Sequence, residues 1–326
     1  MEAICLAAMH GYHFAMCFSA YVVQEYDKYV REFGAHISIR DFVRFYLKRA
    51  ANPKIKTPRA MDAEFDHPNS ADEIQIKTLI DDFCNQEAMR LEQELFKQRK
   101  RLADAERALL TKTTKAATES QRIATFKIEW ALSKLSDLRR TDLKERDFRI
   151  YPGNYVPVIV MEDGQRVIKP MRYLCRPAGK PATYDTQYPG IYNARRDNLE
   201  GFWRNQFGHT HGLMVINAFY EHVIRKVGDA MENIVLEFKP RPTQDMLVAC
   251  IWSHWTGPGE SDLLSFAAIT DEPPAEVAAA GHNRCVIPIK PENIDAWLNP
   301  NPKDLKALYA ILDDRERPYY EHRLAA

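Results

Sequence analysis

Four short stretches of this 326-residue chain each carry a group suited to nucleophilic or proton-transfer chemistry. They are Met16-Cys17-Phe18-Ser19-Ala20, Tyr192-Asn193-Ala194-Arg195, Ala218-Phe219-Tyr220-Glu221-His222 and Gly281-His282-Asn283-Arg284. Together they supply a thiol, a carboxamide, a carboxylate and an imidazole, with Arg195 and Arg284 close by in sequence. A thiol and an imidazole are the nucleophile and base of a cysteine peptidase. A carboxylate and an imidazole are common proton carriers. Singly, each piece has an ordinary structural explanation. A lone cysteine is more often a small buried hydrophobe, and a glutamate after two aromatics is more often a charge at a strand end. His209-Thr210-His211 has the spacing of a metal pair, but no nearby carboxylate completes a ligand set, so no metal and no cofactor is expected. Walker, GxSxG, HExxH and GxGxxG signatures are absent. The six cysteines are scattered without a CxxC pair, which favours reduced thiols over a zinc ribbon.

Strand patterns dominate from about residue 148. VPVIVMEDGQRVIKPMRY predicts a hairpin turning at Asp163-Gly164. HGLMVINAFYEH, ENIVLEFKP, DMLVACIWSHW and LLSFAAIT predict further strands. The loops between them are too short for repeated helical crossovers, so the sheet should be antiparallel or mixed. PENIDAWLNP and PKDLKALYAIL predict short C-terminal helices. Upstream, SAYVVQEYDKYVREFG has helical spacing that ends at Gly34, and a second helix should follow Ser38 as N-cap. From Ala71 to Leu110 there is neither Pro nor Gly, and Glu, Lys, Arg, Leu and Ala abound. That is long-helix composition. The polar TKTTKAATES interrupts it and QRIATFKIEWALSKLSDL resumes it. Residues 71–138 should therefore form a projecting helical pair, either a solvated insertion or an arm for a protein or nucleic-acid partner. The expected class is α+β: a curved, mostly antiparallel sheet with flanking helices and a long helical insertion.

Lys plus Arg and Asp plus Glu both number 45, so the chain carries no net formal charge and is not a globally basic binder. Charge is uneven, however. From Arg166 to Arg204 there are eight basic and three acidic residues, interleaved with Tyr173, Tyr184, Tyr188, Tyr192, Phe202 and Trp203. Single-stranded nucleic acid is held by aromatic rings beside a basic groove; the alternative is a loop-rich surface with core aromatics. No apolar run reaches the roughly 20 residues needed to span a bilayer. The first twenty residues lack the basic start of a secretory signal. A cytoplasmic protein, free of membrane and monomeric, is expected, nucleoid-associated when bound to DNA.

In their order and spacing the four stretches resemble the SOS response-associated peptidase (SRAP) family, the abasic-site processing proteins. VPVIV at 156–160, KPMRY at 169–173, SFAAIT at 265–270 and DAWL at 295–298 add to the resemblance. It covers residues 17 to about 58 and about 148 to 315, leaving the helical insertion outside. The chain departs from the family pattern in several places. Phe18 and Ser19 replace a usual Gly-Arg, so any phosphate contact from that arginine is lost. Ala218 replaces a Gly and His222 a Trp. Tyr173 stands where a Trp is common, and Asn283 replaces an Asp.

The resemblance implies a defined chemistry. The ring-opened sugar of an abasic site is an aldehyde. The α-amine of an N-terminal cysteine attacks it to give an imine, and the neighbouring thiol closes on the imine carbon as a five-membered thiazolidine. An α-amine with pKa near ~8 keeps a useful neutral fraction at pH 7, unlike a lysine near ~10.4. By the same resemblance Cys17 is the nucleophile and Glu221 moves protons during dehydration and ring closure. His282 is a second proton carrier, and Asn193 holds the amine or the opened sugar. Arg195 and Arg284, with Arg172 and Tyr173, contact DNA. The imine also permits β-elimination, hence weak lyase activity.

Sixteen residues precede Cys17, yet the chemistry needs its free amine. Translation starting at Met16 with methionine removal, or self-cleavage between Met16 and Cys17, would expose it; a persistent extension would prevent it. The expected organisation is thus an extension at 1–16 and one domain over 17–326 with its insertion. Two other functions use the same residues differently: a cysteine peptidase with Cys17 and His282, and a non-catalytic single-strand binder whose insertion recruits a partner.

Overall fold

The computed structural model describes residues 19–227 and 230–325. The class is α+β: among the described residues, helices accompany a thirteen-stranded mixed sheet that is mostly antiparallel. The chain forms two compact units. One takes in the chain to Phe42, Ile55–Glu64 and the chain from Glu145; the other consists of Val43–Lys54 and Phe65–Lys144.

In the first unit the predicted hairpin joins Tyr155–Glu162 to Gln165–Tyr173. Asp163 and Gly164 both have positive φ (50° and 76°), the backbone that matches a two-residue turn to twisted strands. The remaining strands close a ring. Tyr155–Glu162 also pairs with His211–Val227, which pairs with Met246–Trp255. That strand pairs with Leu263–Asp271, which returns parallel to Gln165–Tyr173. This closure supplies the sheet's curvature. Val156, Val158, Met171, Met214, Ile216, Val248, Cys250 and Phe266 share one apolar core cluster, as residues two apart on a strand must when one face is buried.

Trp297, on the short helix Ile294–Leu298, is fully buried; its indole N–H donates to the Gly212 carbonyl at 3.0 Å. Its ring lies 4.1 Å from the imidazole of His211. His211 accepts from the Gly208 N–H through Nε2 (2.9 Å) and donates through Nδ1 to the Trp297 carbonyl (3.0 Å). Both ring nitrogens are therefore occupied. Burial pushes its pKa down to about 3, keeping the ring neutral. The HxH spacing here serves packing.

Two stretches differ from their sequence patterns. Ser19–Val22 is a strand, not the start of a helix; the helix runs Tyr26–Phe33 and stops at Gly34, φ 58°. Those four residues lie between Arg149–Ile150 and His211–Val227, and pairing on both sides outweighs local spacing. The terminal strand Tyr319–Leu324, polar along most of its length, pairs with Ala230–Arg241 at the sheet edge. Its period-two signal is too weak to read.

The second unit contains helices Ala71–Thr111 and Lys115–Arg139. Ser70 Oγ accepts from the Glu73 N–H and Thr114 Oγ1 from the Ala117 N–H, so each helix starts on a side-chain cap. Leu91, Leu95, Ala131 and Leu135 form the buried seam between them.

Candidate active site

The long strand His211–Val227 carries Glu221. Tyr21 lies opposite Ala218 but Val22 opposite Ile216, so Asn217 is an extra residue and the strand bulges. Beyond the bulge Phe219 and Val223 enter the apolar core, and alternation places Glu221 on their face. Its side chain is completely buried. A carboxylate cannot stay in such a place without a partner. His282 provides one, with Nε2 at 3.1 Å from Glu221 Oε2 and its own side chain 2% exposed.

His282 is aimed by the turn that ends the helix Ala275–Ala279. The Gly281 N–H bonds the Ala278 carbonyl and the His282 N–H bonds the Val277 carbonyl. Gly281 has φ +100°, and a Cβ there would come within 2.7 Å of Val223 Cγ1. Only glycine adopts this turn without strain. Gly281→Ala is expected to cost about 1–3 kcal/mol, read as a lowered urea midpoint; an unchanged midpoint would mean the turn does not set His282.

One hydrogen bond sets the His282 tautomer. His282 Nδ1 lies 2.8 Å from the Arg284 carbonyl, an atom that only accepts, so Nδ1 carries a hydrogen. The Arg284 N–H is more distant from the same nitrogen, at 3.3 Å. With Nδ1 protonated and turned to that carbonyl, Nε2 faces the Glu221 carboxylate across 3.1 Å. Glu221 and His282 are thus a buried carboxylate–imidazole pair, the types of group that exchange protons in acid–base chemistry.

Asn193 is buried on the short strand Asn193–Arg195, which runs parallel to Leu263–Asp271. The Tyr173 hydroxyl donates to Asn193 Oδ1 in a long hydrogen bond of 3.4 Å. The Tyr173 ring is buried, stacked on Phe266 and edge-on to Tyr192. Cys17 lies outside the described residues. Ser19, the first described residue, pairs with Tyr220, the neighbour of Glu221.

Of the arginines, Arg195 is half-exposed and grips Asp197 with two forked bonds of 3.0 and 2.6 Å. Arg284 approaches the same carboxylate at 3.9 Å while its carbonyl orients His282. The Arg195 fork and the Arg284 guanidinium hold the Asp197 carboxyl below the usual range. Asp197 lies outside the four stretches, and its only signal in sequence is its place two residues after Arg195. Arg172 donates to the Leu174 carbonyl and, at 2.7 Å, to Asp185, which Arg176 shares. The basic excess between 166 and 204 is therefore largely neutralised: Arg166 meets Asp295, Lys169 meets Asp41 and Glu162, and Arg196 meets Asp271 and Asp313. Tyr188 and Phe202 expose rings, whereas Tyr184, Tyr192 and Trp203 are buried. No group of three or more His, Cys, Asp or Glu among the described residues is arranged to hold a metal.

The family model described as SOS response associated peptidase (SRAP) matches residues 107–324. The match takes in the end of the first long helix and all of the second, and leaves Cys17 outside. No curated protein gives a significant match. Among solved structures, a structural-genomics protein from Bordetella bronchiseptica is 15% identical with a TM-score of 0.44, over 57% of this chain and 90% of that one. A protein from Bacteroides thetaiotaomicron is 16% identical with a TM-score of 0.44, over 55% and 77%. A phage-related protein from Bordetella bronchiseptica is 15% identical with a TM-score of 0.43, over 58% and 85%.

Proposed function

Because the chain belongs to the SOS response-associated peptidase family, named for the DNA-damage response, we propose that it captures abasic sites in single-stranded DNA as a covalent adduct of Cys17. The observation that carries this reading is the buried Glu221–His282 pair beside the point where the chain from Cys17 joins the sheet. Cys17 precedes Ser19 by two residues in the sequence.

The steps balance without oxidant or metal. The Cys17 amine adds to the sugar aldehyde, forming a C–N bond, and a proton moves from nitrogen to oxygen. The Glu221–His282 pair protonates the carbinolamine hydroxyl, which leaves as water. The thiol sulfur then bonds the iminium carbon and its proton returns to the pair. The product is a thiazolidine plus one water. Loss of the C2′ proton next to the iminium carbon instead would give an enamine that expels the 3′ phosphate, a slow lyase branch. Residues 1–16 must be absent for the amine to react. Cleavage of the Met16–Cys17 bond by the chain itself would fit the peptidase name.

Arg195 and Arg284 would hold the flanking phosphates, with Asp197 as the anion they release. Asp197→Asn is then expected to tighten binding of an undamaged single strand about two- to fivefold at low salt, the gain shrinking as salt rises. Unchanged affinity would place these arginines off the strand. The proposed reaction is tested by the intact mass of the adduct. Protein beginning at Cys17, mixed with an abasic oligonucleotide, should give the sum of the two masses less one water, and the adduct should resist borohydride. A mass two hydrogens heavier after borohydride would reveal an open imine and no ring.

Cysteine peptidase activity on added peptides would use Cys17 as thiolate and His282 as base. The Glu221–His282 contact favours the capture reaction, because it ties the imidazole nitrogen Nε2 to a carboxylate.

A further inference from the structure

We propose that Arg149 and Tyr151 form a strand-binding subsite, in which the Arg149 guanidinium takes a phosphate and the Tyr151 ring stacks on a neighbouring base. The proposal rests on the reading of the protein as a single-strand binder and adds a site on the sheet face that carries Ser19.

Register places the residues. Ser19 pairs with Tyr220 and Tyr21 with Arg149, while Ala20 pairs with Ile150 and Phe219. Ala20, Ile150 and Phe219 belong to the core, so alternation turns Ser19, Arg149 and Tyr220 to the opposite face. There Arg149 Nε donates to Ser19 Oγ at 3.0 Å. Its guanidinium lies 3.9 Å from the ring centroid of Tyr220 and 5.2 Å from that of Tyr151. The fork is thus fixed in place by one hydrogen bond and two aromatic rings.

What distinguishes Arg149 is its charge balance. Among the described residues, no carboxylate lies within ion-pair distance of it and no acceptor meets its two Nη groups. Neighbouring cations are satisfied: Arg323 is held by Glu237 and Glu145, and Lys239 by Glu237. A pre-oriented, partly desolvated guanidinium with free forked donors is suited to a phosphate. Tyr151 is 41% exposed. Its backbone N–H is bound by the Asn154 side chain at 2.7 Å, so the turn that presents the ring is set before any strand arrives. A small anion would need the charge alone; the exposed ring beside it favours a polynucleotide.

The test uses protein beginning at Cys17, fluorescence anisotropy, and two labelled strands of equal length: an oligothymidylate and a base-free strand of tetrahydrofuran spacers. Arg149→Gln should weaken both about tenfold and lower the slope of log K against log salt by about 0.7. Arg149→Lys should keep the slope. Tyr151→Ala, a surface change, should weaken only the oligothymidylate, by about tenfold. If both variants bind as wild type while wild type still forms its abasic adduct, the subsite is wrong and the Cys17 chemistry stands. If wild type shows neither salt-dependent binding nor an adduct, both fail. Loss of binding in Arg149→Gln that inorganic phosphate reproduces by competition at equal phosphate concentration would mean a small-anion site and would overturn the proposal.

Discussion

Glu221→Ala is expected to slow covalent capture of an abasic strand by about 10²- to 10⁴-fold, with the strand still bound. Proton supply governs both steps. The carbinolamine loses its hydroxyl as water only if a proton reaches that oxygen, and ring closure requires the thiol proton to leave. The Glu221–His282 pair is buried, so bulk water cannot replace it readily, and its two groups face each other across 3.1 Å. Glu221→Gln is the sharper variant, because it preserves shape and hydrogen bonding but cannot take up the proton. Single-turnover capture, followed on denaturing gels at saturating strand, separates rate from binding. A Gln variant that captures at the wild-type rate would remove Glu221 from the chemistry.

Trp297→Ala is expected to destabilise the protein by about 3–5 kcal/mol. The ring is fully buried against the His211 imidazole, and its N–H satisfies the Gly212 carbonyl. Truncation would leave a cavity and an unpaired carbonyl beside the strand that carries Glu221. Set against a typical total of about 5–15 kcal/mol, that is a large share. Urea unfolding checks it; a loss below about 1 kcal/mol would mean that the helix Ile294–Leu298 does not cover the ring of strands.

Much of the framework could be read because its determinants are local. The Asp163-Gly164 turn needs two residues that accept positive φ, and the flanking valines and isoleucines leave little choice of strand. The two long helices follow from a run without Gly or Pro, bounded by Ser70 and Thr114 as caps. Phe219, Glu221 and Val223 share a face by simple alternation. What could not be read depends on distant partners. Ser19–Val22 becomes a strand only because two other strands flank it. The basic stretch from Arg166 to Arg204 looks cationic until Asp295, Asp271 and Asp313, far along the chain, are brought to it. Tyr173 looks like a stacking residue in sequence, but packing against Phe266 buries its ring and directs its hydroxyl to Asn193. Arg149 carries no motif; its importance arises from the acceptors it lacks and the rings around it.

Cys17, as the first residue, is expected to join covalently to an abasic strand. The most direct measurement mixes three proteins with a single-stranded oligonucleotide bearing one abasic site and resolves the products on a denaturing gel. One protein begins at Cys17, one retains the sixteen preceding residues in a form that cannot be processed, and one begins at Cys17→Ala. A heat-stable shifted band for the first alone is the predicted result. A band of equal intensity for Cys17→Ala, or none for the protein confirmed to begin at Cys17, would contradict it.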